Sequence, residues 1–343
     1  MFDDCTSVAK DLTPEEITAI WQADAFAASD GVLDKYERLE VENYKGLTVT
    51  LYPNQRKLRV QGSFATFAKG HNVQLLTHSE LVSTIPALAA AVGLSASRLL
   101  VVGVELSLDL DSTTSPQPFL ETLQQHKHSR FNAIKQRKGV ARPLQFVASH
   151  ANYDVKVYNK GAWAKQQGNP LPAGQYKARL EVVFTRARNI NALWNRLETT
   201  LADLTSFEFY AAAAAHLEQK WKEIIRTRPL DFTGLKSAEK LLLGAGANPE
   251  FWRGLKADRA PITYKRTRKR YRELVEESAK RIGPDAYDQQ VARALAAILP
   301  IAPAPQNDTF LHTSSLMESP LLSVERAEAP ALSQRAEGLL RGC

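Results

Sequence analysis

The stretch 99–110, LLVVGVELSLDL, alternates so that Val104, Leu106, Leu108 and Leu110 fall on one side and Gly103, Glu105, Ser107 and Asp109 on the other. A period of two identifies a β-strand with one face buried, so the chain must build a sheet that has an apolar side to cover and a polar side turned elsewhere. Glu105 lies mid-strand, where a carboxylate is costly unless it is paired or bound to a cation. It is a candidate ligand. The alternative is a strand whose polar face meets solvent.

Two further segments carry the same alternation. Over 153–159 Val155 and Val157 share one face and Asp154, Lys156 and Tyr158 the other, ending at Asn159-Lys160-Gly161; over 176–184 Arg179 and Glu181 oppose Leu180, Val182 and Phe184. If these strands pair, a phenol, an ammonium and a carboxylate meet on one sheet face. Such a group suits metal-assisted phosphoryl transfer, in which the carboxylate holds a divalent cation, the cation polarises a phosphate and the tyrosinate attacks phosphorus. Lys160 could lower the phenol's pKa or neutralise charge on the phosphate. The same pattern also describes an amphipathic hairpin with a solvated polar face.

The rest of the chain reads as an α+β fold. A capped helix opens at Thr13-Pro14-Glu15-Glu16, and short strands follow at 39–44, 47–52 and 57–63. The turn Lys69-Gly70-His71-Asn72 comes next, with His71 a candidate ligand or an exposed turn residue. Helices are expected at 79–92, 116–125 and 191–204 and a strand at 144–149, giving a mixed or antiparallel sheet flanked by helices over 1–205. From Phe207 the pattern turns helical, at 210–226, 235–243, 249–255, 262–281 and 286–299, which predicts a smaller all-α domain over 206–300. The Ser-, Pro-, Ala- and Glu-rich segment 301–343 is expected to be a disordered tail.

The 343 residues carry a net charge of +7, and the excess is local. The stretch 264–272, YKRTRKRYR, has six basic residues and no acid, and 126–142 is similarly basic. Such patches favour a polyanion, with a solvated helix face as the alternative. On the expected helix Lys265, Arg268, Lys269 and Arg272 share a face, so several phosphates could be neutralised together. Cys5 and Cys343 lie at opposite ends, which leaves no disulfide framework or zinc cluster. No apolar run would span a membrane and no signal peptide is evident, so a cytoplasmic location is expected. There is no Walker loop and no GxGxxG motif.

Four pieces, in order, resemble the replication initiation proteins of filamentous phages, the gene II/X protein family, which is similar to certain plasmid rolling-circle initiators. They are Lys69-Gly70-His71-Asn72-Val73, Val104-Glu105-Leu106, the pair Val157-Tyr158-Asn159-Lys160 and Arg179-Leu180-Glu181-Val182, and Thr263-Tyr264-Lys265-Arg266 with its basic helix. The likeness spans roughly 55–280, and the first 50 residues match nothing. It implies a nuclease-like domain that nicks one strand at a phage or plasmid origin through a tyrosyl phosphodiester and rejoins it after replication, with host helicase and polymerase as partners in a bacterial cytoplasm. It implies Mg²⁺ or Mn²⁺ at Glu105, Glu181 and His71, Tyr158 or Tyr264 as nucleophile, and DNA contacts from Arg179, Lys265, Arg266, Arg268, Lys269 and Arg272. The sequence departs from many rolling-circle enzymes in having no His-hydrophobe-His motif. A non-catalytic origin-binding or repressor protein is the alternative.

Overall fold

The computed structural model describes residues 1–27, 34, 37–134, 143–227, 230–283 and 285–299. The expected tail at 301–343 and the 135–142 part of the basic patch lie outside the described residues. The chain begins with β1 (Phe2–Ala9), α1 (Pro14–Trp21), β2 (Leu39–Tyr44), β3 (Leu47–Tyr52), β4 (Lys57–Ser63), α2 (Phe64–Lys69) and α3 (His78–Ala91). Next come β5 (Leu100–Ser112), α4 (Gln117–Leu120), β6 (Leu123–His126), β7 (Ser129–Arg130), β8 (Asn132–Ile134), β9 (Gln145–Ser149), β10 (Asp154–Asn159), α5 (Lys160–Gln166) and β11 (Tyr176–Phe184). The remainder is α6 (Ala187–Leu193), α7 (Phe207–Lys222), β12 (Ile224–Arg226), α8 (Ser237–Ala245), α9 (Pro249–Asp258), α10 (Pro261–Ile282) and α11 (Ala286–Ile298).

Nine strands form one antiparallel sheet in the order β2-β3-β4-β1-β5-β11-β10-β9-β8. A separate three-stranded sheet has the order β12-β6-β7. In the large sheet the alternation sorts the side chains as expected. Leu106, Leu108, Val155, Val157, Leu180 and Val182 are buried in one core with Leu81, Ile85 and Leu88 of α3, Leu217 of α7 and Leu295 of α11. Each such aliphatic side chain contributes about 1.5–3 kcal/mol on burial. Helices α7 and α11, from the segment whose composition turns helical, thus pack on the sheet. The opposite face carries Asp4, Glu105, Asp109, Lys156, Tyr158, Arg179 and Glu181.

The local signals explain why α3 starts and stops where it does. The Thr77 hydroxyl accepts the Glu80 N–H while the Glu80 carboxylate accepts the Thr77 N–H, a reciprocal cap that satisfies two otherwise orphaned donors. Gly93 follows the helix at φ +78, and a Cβ there would meet the Ala19 carbonyl oxygen at 2.7 Å. Only glycine fits.

Two expectations need correction, and several elements were not anticipated. The segment 116–125 forms only the short α4 before turning into β6, because its backbone pairs with β12 and β7. The helix expected at 191–204 lies earlier, over Ala187–Leu193; the chain then extends so that Thr200 bridges to Leu100 and Leu197 is left 95% exposed. Two short helices, α2 and α5, were not expected. The largest omission is β1, which the sequence leaves unassigned and which runs down the middle of the sheet between β4 and β5.

Candidate active site on the polar sheet face

The strands β10 and β11 pair with Lys156 opposite Glu181 and Tyr158 opposite Arg179, and β11 pairs with β5 so that Arg179 faces Asp109 and Val183 faces Glu105. This register brings Glu105, Lys156, Tyr158 and Glu181 together. They line a cavity of about 200 Å³ with Asp4 and Trp163. The Tyr158 hydroxyl donates to Glu181 Oε1 at 2.7 Å. The Lys156 ammonium donates to Glu105 Oε1 at 2.8 Å and stands 3.7 Å from Glu181 Oε2.

Strand β1 supplies the two acids that sequence reading missed. A register shift in its pairing with β5, between Phe2 and Cys5, interrupts the alternation, so Asp3 and Asp4 both reach the cavity. The consecutive carboxylates of Phe2-Asp3-Asp4-Cys5, set between apolar neighbours, were the available signal. Burial, with the neighbouring Asp3 charge, pushes the Asp4 carboxyl up to about 6.

Arg179 corrects an expectation. Placed at the DNA by the resemblance, it is instead 0% exposed. Its Nη1 donates to Asp3 at 2.5 Å, its Nε to Asp109 at 2.6 Å and its Nη2 to the Asn72 carbonyl at 3.0 Å, which commits the guanidinium to the interior. Burial opposes ionisation of Asp109, but Arg179 and Lys177 outweigh it and hold the carboxyl below its usual range.

Lys160 heads α5, whose N-cap is Asn159, through a side-chain oxygen that accepts the Ala162 N–H. Its ammonium donates to Asn72 Oδ1 at 3.0 Å and lies 4.2 Å from the Trp163 ring centroid and 5.9 Å from that of Tyr158. It therefore touches the tyrosine ring's surroundings and not the hydroxyl. Burial, then the Arg179 charge, brings this amine down to about 8. Gly161 permits the close approach of the next loop, since a Cβ would meet Leu171 Cδ1 at 2.9 Å.

Burial, followed by the Glu105 charge, pushes Glu181 up to about 7, and burial with the Glu181 charge pushes the Tyr158 phenol well above its usual value. The first shift makes a stability prediction. A carboxyl whose folded pKa exceeds its unfolded one stabilises fully below the unfolded value, and that contribution is lost as pH rises through about 7. Glu181→Gln is therefore expected to melt progressively higher than the wild type between pH 5 and pH 8, as read by thermal unfolding followed by circular dichroism. Equal melting temperatures across that range would show that Glu181 is not the strained group.

The buried Nδ1 of His71 has no hydrogen-bond partner among the described residues. It does not line the cavity, and among the described residues no three His, Cys, Asp or Glu side chains are grouped to hold a metal ion. The position between Glu105 and Glu181 where a cation was expected holds the Lys156 ammonium. The set Glu105, Glu181 and His71 thus does not fit a metal as arranged.

On α10, Lys265, Arg266, Arg268, Lys269 and Arg272 are exposed. Arg270 is not part of that face, being tied to Glu239 at 2.6 Å. Tyr264 accepts from Arg268 at 3.1 Å and meets Trp252 edge-on at 6.2 Å, and it does not line the Tyr158 cavity.

No family model matches the chain, and no curated protein matches it. Among solved structures, a rolling circle replication initiator protein from Geobacillus stearothermophilus is similar at a TM-score of 0.36 and 12% identity, over 70% of this chain and 89% of that one. A likeness this slight leaves the function to the geometry. Among the described residues no helix is long and apolar enough to cross a membrane.

Proposed function

We propose that the chain cuts one DNA strand at a phage or plasmid replication origin, holds the end on Tyr158, and rejoins it, as a rolling-circle initiator. The observation that carries this reading is the 2.7 Å hydrogen bond from the Tyr158 hydroxyl to Glu181 inside a cavity lined with further carboxylates and Lys156. A phenol pushed upward by burial is not a ready nucleophile. It needs a base, and Glu181 is in contact with its proton and titrates near neutrality.

Glu181 takes the proton as Tyr158 Oη bonds to phosphorus and the bond from phosphorus to a sugar oxygen breaks, that oxygen drawing a proton from water. Lys156 faces the charge that builds on the phosphoryl oxygens. The exchanged ester conserves the phosphodiester's energy, so rejoining needs no nucleotide. Chelation followed by restoring Mg²⁺ or Mn²⁺ measures whether either ion is needed for cutting. Nicking of a supercoiled origin plasmid that leaves protein covalently attached tests the reading. Tight origin binding without any nick or adduct would replace it with the non-catalytic origin-binding or repressor role. The rate is expected to rise with pH through about 7 as Glu181 ionises, and a profile flat from pH 6 to 8 would remove Glu181 as the base.

The α10 face is proposed to bind the DNA backbone. Changing Lys265, Arg268, Lys269 and Arg272 to Ala is expected to weaken binding to all duplex sequences and to flatten log Kd against log salt by roughly 0.9 for each phosphate no longer neutralised. An unchanged slope would mean that the face is merely solvated.

A further inference from the structure

Beside the acidic cavity the polar sheet face opens into a groove of about 610 Å³. Its lining includes Lys57, Arg59 and Gln61 of β4, Thr6 of β1, Gly103 of β5 and Arg186 just beyond β11. The register makes this one surface, since Thr6 pairs with both Gln61 and Gly103 and Val8 pairs with Arg59. Asp4 and Glu105 line the groove and the cavity alike, so the two are continuous. We infer that this groove holds the single-stranded DNA leading to Tyr158, an inference that rests on the strand-cutting reading of that residue.

Charge complementarity and continuity with the cavity select the occupant. Arg59 and Arg186 are exposed and Lys57 is half-exposed at the rim, while the acids lie only at the junction with the cavity. A phosphate chain can therefore run along the cationic part and deliver one phosphodiester to the carboxylate end. Arg59 donates to Gln61 at 2.8 Å, and Lys57 lies 5.2 Å from the Tyr52 ring centroid, so both cations are positioned by neighbouring side chains. Gly103 contributes no side chain and keeps the floor low. Duplex DNA fits this path poorly. Tyr158 reaches a phosphorus only within a recess where Glu181 is 4% exposed, and an intact double helix cannot press a backbone into it without the strand leaving the stack.

The test uses the full chain and two labelled probes, a thymidine 20-mer and a random-sequence 20-base-pair duplex, followed by fluorescence anisotropy over a salt series. The triple variant Lys57→Ala, Arg59→Ala, Arg186→Ala is expected to bind the 20-mer at least tenfold more weakly, with its salt slope reduced by about 2 at roughly 0.7 per single-strand phosphate. Its duplex affinity should stay within twofold. Lys57→Arg, Arg59→Lys, Arg186→Lys should restore single-strand binding, and thermal unfolding of both variants checks the fold. Wild-type single-strand affinity in the triple variant, equal losses on both probes, or no single-strand binding by the wild type would each overturn the groove assignment. A wild type that never cuts, paired with a triple variant that still loses only the 20-mer, would instead remove the cutting reading and leave the groove in place.

Discussion

Tyr158→Phe is expected to lower strand cutting by at least roughly 10³-fold, the scale on which loss of a nucleophile or its base falls, while leaving duplex affinity and melting temperature close to wild type. The substitution removes the attacking oxygen and its hydrogen bond to Glu181 but keeps the ring, which forms part of the cavity wall. Tyr264→Phe is the informative partner. Its hydroxyl accepts from Arg268 and its ring meets Trp252, and it does not line the carboxylate cavity, so its loss is expected to leave cutting within about twofold, the scale of an exposed surface substitution. Trapping the adduct on an origin oligonucleotide and sequencing the labelled peptide reads the choice directly. An adduct on Tyr264, or full cutting by Tyr158→Phe, would move the chemistry off the sheet.

The contrast between these two tyrosines shows what a sequence can carry. The strands at 154–159 and 176–184 were legible because a period of two survives in each; their pairing stood only as a condition, and it sets Lys156 against Glu181 and Tyr158 against Arg179. Strand β5 was legible for the same reason. Strand β1 was not, because the Asp3-Asp4 doublet and the register shift break the alternation where the strand enters the site. Helices α2 and α5 are too short to develop an apolar stripe, and Gly161 inside α5 reads locally as a turn. At 191–204 the spacing of Trp194, Leu197 and Leu201 mimics a helix, yet the backbone there is claimed by long-range pairing with β5: the Val101 N–H donates to the Thr199 carbonyl at 2.8 Å. Local pattern loses to tertiary hydrogen bonding wherever the segment is short.

For a related reason, spacing pointed to a metal ion between Glu105 and Glu181, where the structure has the Lys156 ammonium. Composition counts the acids, but only the register reveals that Lys156 projects between them at 2.8 Å and 3.7 Å. A mid-strand carboxylate must be compensated, and spacing alone cannot say whether a metal or an ammonium does it.

Arg179 illustrates the same limit with a larger energetic consequence. Counted as a positive charge in a DNA-binding chain it belongs at the surface, but the pairing of β11 with β5 puts it opposite Asp109, and β1 brings Asp3 to its other side at 2.5 Å. Removing the guanidinium leaves buried Asp3 without its cation, Asp109 with Lys177 alone at 3.1 Å, and the Asn72 carbonyl without this donor. Arg179→Met, which keeps the stem's bulk, is therefore expected to cost about 3–5 kcal/mol, the range for breaking a buried ion pair from one side, measured by urea unfolding. Adding Asp3→Asn to Arg179→Met removes the stranded charge, so the double variant should recover part of the loss and show non-additive coupling. Arg179→Lys retains charge but cannot span Asp3, Asp109 and the Asn72 carbonyl in one planar fork, so it should fall between wild type and Arg179→Met. If Arg179→Met unfolded at the wild-type urea midpoint and lost only DNA affinity, the guanidinium would be serving the nucleic acid, and the inward network would carry no stability.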